Sequence, residues 1–354
     1  MPLRLIKNLT EADLTDWLKS RGHAAFRLKQ IRHWLYVRWE VQFADMGNLP
    51  AALRQALAAE FLAFGLDPVE TQEADDGTVK WLFRLSDGES LETVLIRTPE
   101  RQTVCISTQV GCPVRCTFCA SGRDGLVRDL EPAEIVDQVI AACRHRQQRV
   151  DNIVVMGMGE PLLNLDNLVA ALDLICGPEH LGIGARHVTI STSGIVPGIH
   201  RLAELRRQWH LALSLHALTD EARARLIPSR HRYPLAEIVE ACRYYRDCTG
   251  RIVTLEYALM AGGNDSEADA VGLASLARNL DAKINLIPCN EVSEHHRAPD
   301  ERHVRAFEES VRGLGAKVTL RQRKGERIQA ACGQLRRRTV PPSPGTTSGF
   351  QQAN

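Results

Sequence analysis

From Gln102 onward, short apolar β-branched runs alternate with longer amphipathic stretches, and this rhythm constrains the fold more than any other feature of the chain. QTVCIST, NIVVM, HVTIS, HLALSL, IVTLEYAL, KINLIP and KVTLR have the length and branching of buried strands. Between them, residues 131–147, 166–176, 234–247, 266–279 and 301–313 carry helical periodicity, and a shorter helix follows Pro197. Roughly six βα units result, so the chain is expected to be an α/β protein whose parallel sheet is wrapped by helices. A doubly wound sheet and a complete or partial barrel both satisfy the pattern, and in each the ligands gather at the carboxyl ends of strands.

Upstream the pattern differs. Residues 11–63 read as short helices: Thr10 can cap EADLTDWLKSRG, and AFRLKQIRHWLYVRWE places Phe26, Ile31, Trp34, Leu35 and Trp39 near one face. A small helical N-terminal domain is expected over residues 1–75. The runs WLFRL, ETVLI and TVCIST, the first two parted by SDGES, predict strands and a hairpin leading into a main domain over residues 76–338. Residues 339–354, which include PPSPGTTSGFQQAN, have little to bury and are expected to be disordered.

No run approaches the roughly 20 apolar residues of a membrane span. The opening MPLRLIKNLTEADL has no apolar core followed by a small-residue cleavage site, so a cytoplasmic protein without a membrane partner is expected. Nothing in the pattern calls for an oligomer, and a monomer is expected. The ten cysteines are spread through a long chain, which suits thiols and metal ligands better than a disulfide framework. Cys143, Cys176, Cys242 and Cys248 fall in helix-like stretches and read as small buried hydrophobes. The net charge of +1 does not mark a nucleic-acid binder, but it conceals a basic segment. Arg321, Arg323, Lys324, Arg327, Arg336, Arg337 and Arg338 stand there against the single acid Glu326, either as a solvated face or as a surface for phosphates.

The chemistry concentrates in GCPVRCTFCASG, where the spacing is Cys112-x3-Cys116-x2-Cys119 directly after a strand. Closed zinc sites and ordinary iron–sulfur clusters take four protein ligands, so three thiolates from one loop suit a cubane cluster with one iron open to an outside ligand. A zinc site completed by Cys105 or a histidine is the competing reading. Further polar groups fall on other strand ends: Gly159 and Glu160 in MGMGEP, Ser191 after HVTI, Ser214 and His216 in HLALSLH, and Asn290 after KINLIP. The glycines would let backbone approach a ligand, and Glu160 could accept from a cationic amino group.

This loop, with Phe118 before its third cysteine, resembles the CxxxCxxC signature of radical S-adenosylmethionine (SAM) enzymes. Eight blocks in order make the resemblance narrower: FRLKQIRHWLY, ETVLI, CISTQVGCPVRCTFC, NIVVMGMGEPLLN, HVTISTSGIVPGI, LALSLHA, KINLIP and AACGQL are similar to the RlmN/Cfr family of radical SAM adenosine methyltransferases. The resemblance implies a partial (β/α)6 barrel with a helical accessory domain that binds RNA. It implies a [4Fe-4S] cluster on Cys112, Cys116 and Cys119. It also implies SAM, two per turnover, held by Gly159, Glu160, Ser191, Ser214, Leu215, His216 and Asn290. Cys332 would be methylated and then carry a methylene radical to carbon 2 of an adenine, a position that direct displacement on the SAM methyl cannot reach. Cys105 would resolve the adduct through a transient disulfide with Cys332, and Glu92 would accept the ring proton. The implied substrate is an adenosine of 23S rRNA, in some members also of tRNA, with electrons from a flavodoxin-type donor. The alternatives are the Cfr-like product, methylated at carbon 8, and a zinc-dependent RNA-binding module without catalysis. The chain departs from the family pattern at Cys289, Glu291, Arg327, Ser121 and Asp129.

Overall fold

A computed structural model describes residues 3–290, 292, 296–321 and 324–338. Its N-terminal part is helical, as the periodicity predicts. Strand β1 (Arg4–Leu5) pairs in parallel with β2 (Phe61–Leu62). Between them run α1 (Glu11–Ser20), α2 (Arg27–Arg32) and α3 (Ala51–Glu60). Helix α1 starts where Thr10 and Asp13 form a reciprocal capping box, each side chain accepting from the other's backbone N–H at 3.1 Å. Leu14, Leu18, Ile31, Leu35, Leu53 and Leu57 form the core, whereas Phe26, expected on the same face, precedes α2 and is 58% exposed.

Ten strands make the main sheet. Its antiparallel part is β3 (Asp67–Glu73), β4 (Val79–Arg84), β5 (Ser90–Arg97) and β6 (Gln102–Cys105), each pairing with the next. The sheet therefore takes in residues 67–73, inside the segment expected to be N-terminal accessory domain. A separate ribbon, β7 (Gln109–Gly111) with β8 (Leu126–Asp129), flanks the cysteine loop. Beyond β6 the sheet is parallel through β9 (Asn152–Val155), β10 (Val188–Thr192), β11 (His210–Ser214), β12 (Thr254–Leu259), β13 (Lys283–Pro288) and β14 (Lys317–Leu320). The order ends on β3 at one side and β14 at the other, so the sheet is open: a partial barrel, with β14 continuing the parallel series.

Helices α4 (Pro132–Arg146), α5 (Leu165–Cys176), α6 (Val196–Glu204), α7 (Asp220–Leu226), α8 (Leu235–Thr249), α9 (Glu267–Leu280) and α10 (Glu301–Gly313) supply the crossovers. They bury the apolar stripes predicted from sequence, Leu273, Ala277 and Leu280 of α9 among them. Helix α4 also anchors the N-terminal part. Lys7 Nζ lies 2.8 Å from Asp137 Oδ1 with both side chains buried, and Gly65 N–H donates to Asp137 Oδ2 at 2.8 Å. Among the described residues no helix is long and apolar enough to cross a membrane. The tail from residue 339, like Arg323 of the basic segment, lies outside the described residues.

Candidate active site

The cysteine loop leaves β6 and β7 through a turn only glycine can make. Gly111 has φ +78°, and a Cβ there would stand 1.9 Å from the Gly125 carbonyl that accepts the Cys112 N–H. Two further bonds hold the loop: Thr117 N–H donates to Leu226 O at 2.9 Å, and Ala120 N–H to Gly333 O at 2.7 Å. Cys112, Cys116 and Cys119 line one cavity. Burial raises all three thiols above their ordinary range, Cys112 to about 12, a cost that coordination to iron removes because a metal binds thiolate. Among the described residues no three His, Cys, Asp or Glu side chains gather around one ion-sized point. A cubane presents three separate irons to three thiolates, and the three cysteines that share this cavity fit that requirement in number and donor type.

The strand ends predicted from sequence surround the same cavity. Gly159, Glu160, Ser191, Ser214, His216 and Asn290 all line it. Leu215 does not: it is fully buried, its N–H donating to Glu256 O and its carbonyl accepting from Arg223. Glu160 accepts from Ser193 N–H and Oγ at 2.8 Å and from Leu162 N–H at 3.1 Å, bonds that partly offset the upward pull of burial on its carboxyl. Ser191 Oγ and Ser214 Oγ are 3.2 Å apart. His216 Nδ1 accepts from Ala258 N–H at 3.0 Å, which leaves the proton of a neutral ring on Nε2, and burial lowers its pKa to about 3. Asn290 donates to Cys332 O at 3.0 Å, while its buried Oδ1 has no hydrogen-bond partner among the described residues. An orphaned acceptor beside a carboxylate and two hydroxyls fits an amino-acid moiety with N–H groups to donate. The glycines of MGMGEP line the cavity and also pack tightly on their other side. A Cβ on Gly157 would strike Ser107 Oγ and Ile106 O, and one on Gly159 would strike Gln109 and Thr108, so their close approach is to the neighbouring strand end.

A second cavity adjoins the first and shares Cys119, Met156, Gly157, Asn290, Cys332 and Gly333 among its walls. Cys105, Arg321 and Lys324 also face it. The structure thus brings Cys105 and Cys332 together, but both are free thiols and no disulfide joins them. Burial raises the Cys105 thiol to about 12; a negative Cys332 would raise it and the Arg321 charge opposes this. Glu92 lines neither cavity. It is buried on β5, where Oε2 accepts from Arg336 N–H at 2.8 Å and Oε1 lies 3.4 Å from Lys80 Nζ.

The basic segment is divided: Arg327 and Arg336 are exposed, while several of its side chains meet partners within the chain. Arg321 turns inward, Arg337 forks onto Glu89 at 2.6 and 2.9 Å, Arg338 pairs with Glu70, and Arg327 pairs with Asp75. Ser121 and Asp129, two of the departures, have structural partners: Ser121 Oγ donates to Leu335 O and Asp129 accepts from Gln109.

Comparison with known proteins decides the affiliation. Residues 106–274 match the radical SAM superfamily, and residues 6–62 match the ribosomal RNA large subunit methyltransferase N-terminal domain. A probable dual-specificity RNA methyltransferase RlmN from Geobacillus kaustophilus is 47% identical over 95% of this chain and 93% of its own length. Its counterpart in Bacillus thuringiensis is 44% identical over 94% and 92%. The chain belongs to the RlmN family. The crystal structure of a radical SAM methyltransferase from Sphaerobacter thermophilus superposes with a TM-score of 0.91 at 44% identity, covering 94% of this chain and 99% of that one.

Within this RlmN-family site, sequence reasoning missed three charged side chains. Glu256 lines the first cavity and accepts from Asn285 Nδ2 at 2.7 Å; the signal was a lone acid inside the apolar run IVTLEYAL. Arg321 was noticed, but as part of a surface run rather than as the residue that follows the edge strand β14 into the second cavity. Arg223 is fully buried on α7, and nothing in DEARARL distinguishes it from its exposed neighbours.

Proposed function

We propose that this chain is a radical SAM RNA methyltransferase that methylates carbon 2 of an adenosine in 23S rRNA, and of a tRNA adenosine, through methylated Cys332. The observation that carries this reading is the adjacency of the two cavities. Cys332 faces both, so one sulfur reaches the three-cysteine site and the Cys105 thiol. Cys112, Cys116 and Cys119 would hold a [4Fe-4S] cluster, and Gly159, Glu160, Ser191, Ser214, His216 and Asn290 would hold SAM, with Leu215 in the core beneath them. Bound there, these groups supply a methyl cation equivalent and one-electron hydrogen abstraction.

The chain's own residues do the rest. The Cys332 thiolate takes the methyl and becomes S-methylcysteine. Loss of a hydrogen atom from that methyl leaves a methylene radical that bonds to the ring carbon and tethers the RNA to the sulfur, and the adduct then gives up its odd electron, which the cluster would take back, together with the ring proton. Cys105, as thiolate, then attacks the Cys332 sulfur, the C–S bond breaks with its electron pair left on the departing methylene carbon, which takes a proton to become the methyl group, and the disulfide forms, to be reduced by an external thiol before the next turnover. Arg321 lines the same cavity as Cys105 and Cys332, and its charge opposes the upward pull of burial on the Cys105 thiol. The ring proton goes to Cys105 or Glu92. Of these only Cys105 faces the cavity in this arrangement, and Glu92 serves once the Arg336 N–H releases its Oε2. The helical domain and Lys324 then contact RNA backbone while the target base is unstacked into the second cavity.

The test uses anaerobically reconstituted protein, SAM, a one-electron reductant and an rRNA fragment, with nucleosides read by mass spectrometry. Four irons per chain and 2-methyladenosine are expected. An 8-methyl product moves the chain to Cfr-like chemistry, and zinc without SAM cleavage overturns the proposal.

A further inference from the structure

Buried arginines are almost always paired with an acid, and Arg223 is not. None of its surface is exposed. Among the described residues its guanidinium meets carbonyls alone: Leu215 O and Ser193 O at 2.8 Å and Ser214 O at 3.4 Å, while Nε has no partner. Asp220, at the start of the same helix, gives an oxygen to the Leu235 N–H and acts on Arg223 only through longer-range attraction. The far end of α7 is bonded into the cysteine loop, because Leu226 O accepts from Thr117 N–H next to Cys116. The Arg223 guanidinium is therefore held on the backbone carbonyls of Ser193 and Ser214, two residues lining the first cavity, by a helix whose end is bonded into the cysteine loop, and its charge acts on the Cys116 thiol.

We propose that Arg223 is a built-in counter-cation for the cluster on Cys112, Cys116 and Cys119, and that it sets how readily that cluster accepts an electron. The inference rests on the cluster assigned above. Three thiolates give the cluster negative charge, and reduction by an external one-electron donor adds one more unit. A fixed positive charge in a poorly solvated setting stabilises the reduced form more than the oxidised one. A purely structural latch between strand ends would need only the hydrogen bonds, so charge and bonding can be separated. Arg223→Lys keeps the charge and loses the fork; Arg223→Gln keeps donors and loses the charge.

The experiment is an EPR-monitored redox titration of the anaerobically reconstituted full chain, wild type and both variants, without RNA or turnover. At the wild-type midpoint, R223Q should show a ratio of reduced to oxidised cluster lower by on the order of tenfold. That corresponds to about 59 mV for one electron. R223K should stay within roughly threefold of wild type. R223Q with a wild-type potential, or R223K displaced as far as R223Q, overturns the inference. If R223Q does not fold or takes up no cluster, Arg223→Met is titrated in its place: a ratio lower by on the order of tenfold sustains the charge role, and a wild-type potential overturns it. A wild-type chain without iron and sulfide overturns the cluster and this inference with it, whereas a cluster indifferent to residue 223 overturns this inference only.

Discussion

Acidification should destabilise this protein through one ring. His216 is 5% exposed, packs edge-on against Phe118 with centroids 4.6 Å apart, and accepts the Ala258 N–H on Nδ1. Protonating Nδ1 would break that bond and place a second positive charge near Arg223, and burial already opposes the charged form, which lowers the pKa from 6.5 to about 3. A depressed folded-state pKa means the unfolded chain binds the proton first. Stability is therefore complete above pH 6.5 and falls by about 1.4 kcal/mol per pH unit down to the folded-state value. The loss from this residue is about 2 kcal/mol at pH 5 and about 4 kcal/mol at pH 3. The comparison is His216→Asn, since His216 has φ +57° and asparagine tolerates that conformation while offering an acceptor to Ala258. Urea unfolding of both cluster-free proteins from pH 7.5 to pH 5 cancels every other titrating group. Wild type should lose about 2 kcal/mol more than the variant over that range. Parallel pH profiles would show that His216 protonates freely in the fold and would refute the neutral-ring assignment.

Other consequences follow from single contacts. Lys7→Met leaves Asp137 buried without its partner and should cost about 3–5 kcal/mol, whereas Lys7→Met with Asp137→Leu should recover most of it in a urea double-mutant cycle. Gly111→Ala forces a Cβ onto the Gly125 carbonyl at a left-handed φ, so iron bound after reconstitution should fall well below that of wild type. Cys332→Ala should retain full iron and sulfide yet form no methylated nucleoside. Cys105→Ala should instead trap RNA on the protein, seen as a nuclease-sensitive gel shift, and a freely released product would remove Cys105 from the proposed route.

The fold was largely legible because burial writes itself into periodicity. The strand NIVVM is apolar on both faces, as a helix-wrapped parallel sheet requires, and both it and KINLIP appear in the structure within a few residues of their expected places. The cysteine loop and the strand-end hydroxyls were legible for another reason: ligand spacing and strand ends are local in sequence. What sequence concealed is long-range charge pairing. A run of arginines looks alike whether its partners are RNA phosphates or acids some 250 positions earlier, and Arg337 with Glu89 is the second case. Arg223 was invisible because its environment is created by Ser193, Ser214 and Leu215, which come from two other strand ends.

That concealed pairing gives the antiparallel strands a purpose. Strands β3 to β5 extend a barrel that is already built from β6 and β9 to β13, and they bring a row of acceptors to the chain that follows β14. Asp76 accepts from Gly325 N–H, Glu92 from Arg336 N–H, and Ser90 exchanges hydrogen bonds with Arg338, while Glu89 and Glu70 hold Arg337 and Arg338. On the other side Ala120 and Ser121 of the cysteine loop donate to Gly333 and Leu335. Cys332 sits between these two sets of bonds, so its sulfur is placed by backbone contacts and not by its own side-chain partners. Neutralising the seat while sparing the cavities, as in Glu89→Gln with Glu70→Gln, should therefore weaken Cys332 methylation with iron content unchanged. Intact-mass measurement of the protein after one round with SAM reads that directly, and full methylation in the double variant would show that Cys332 is positioned from the cysteine-loop side alone.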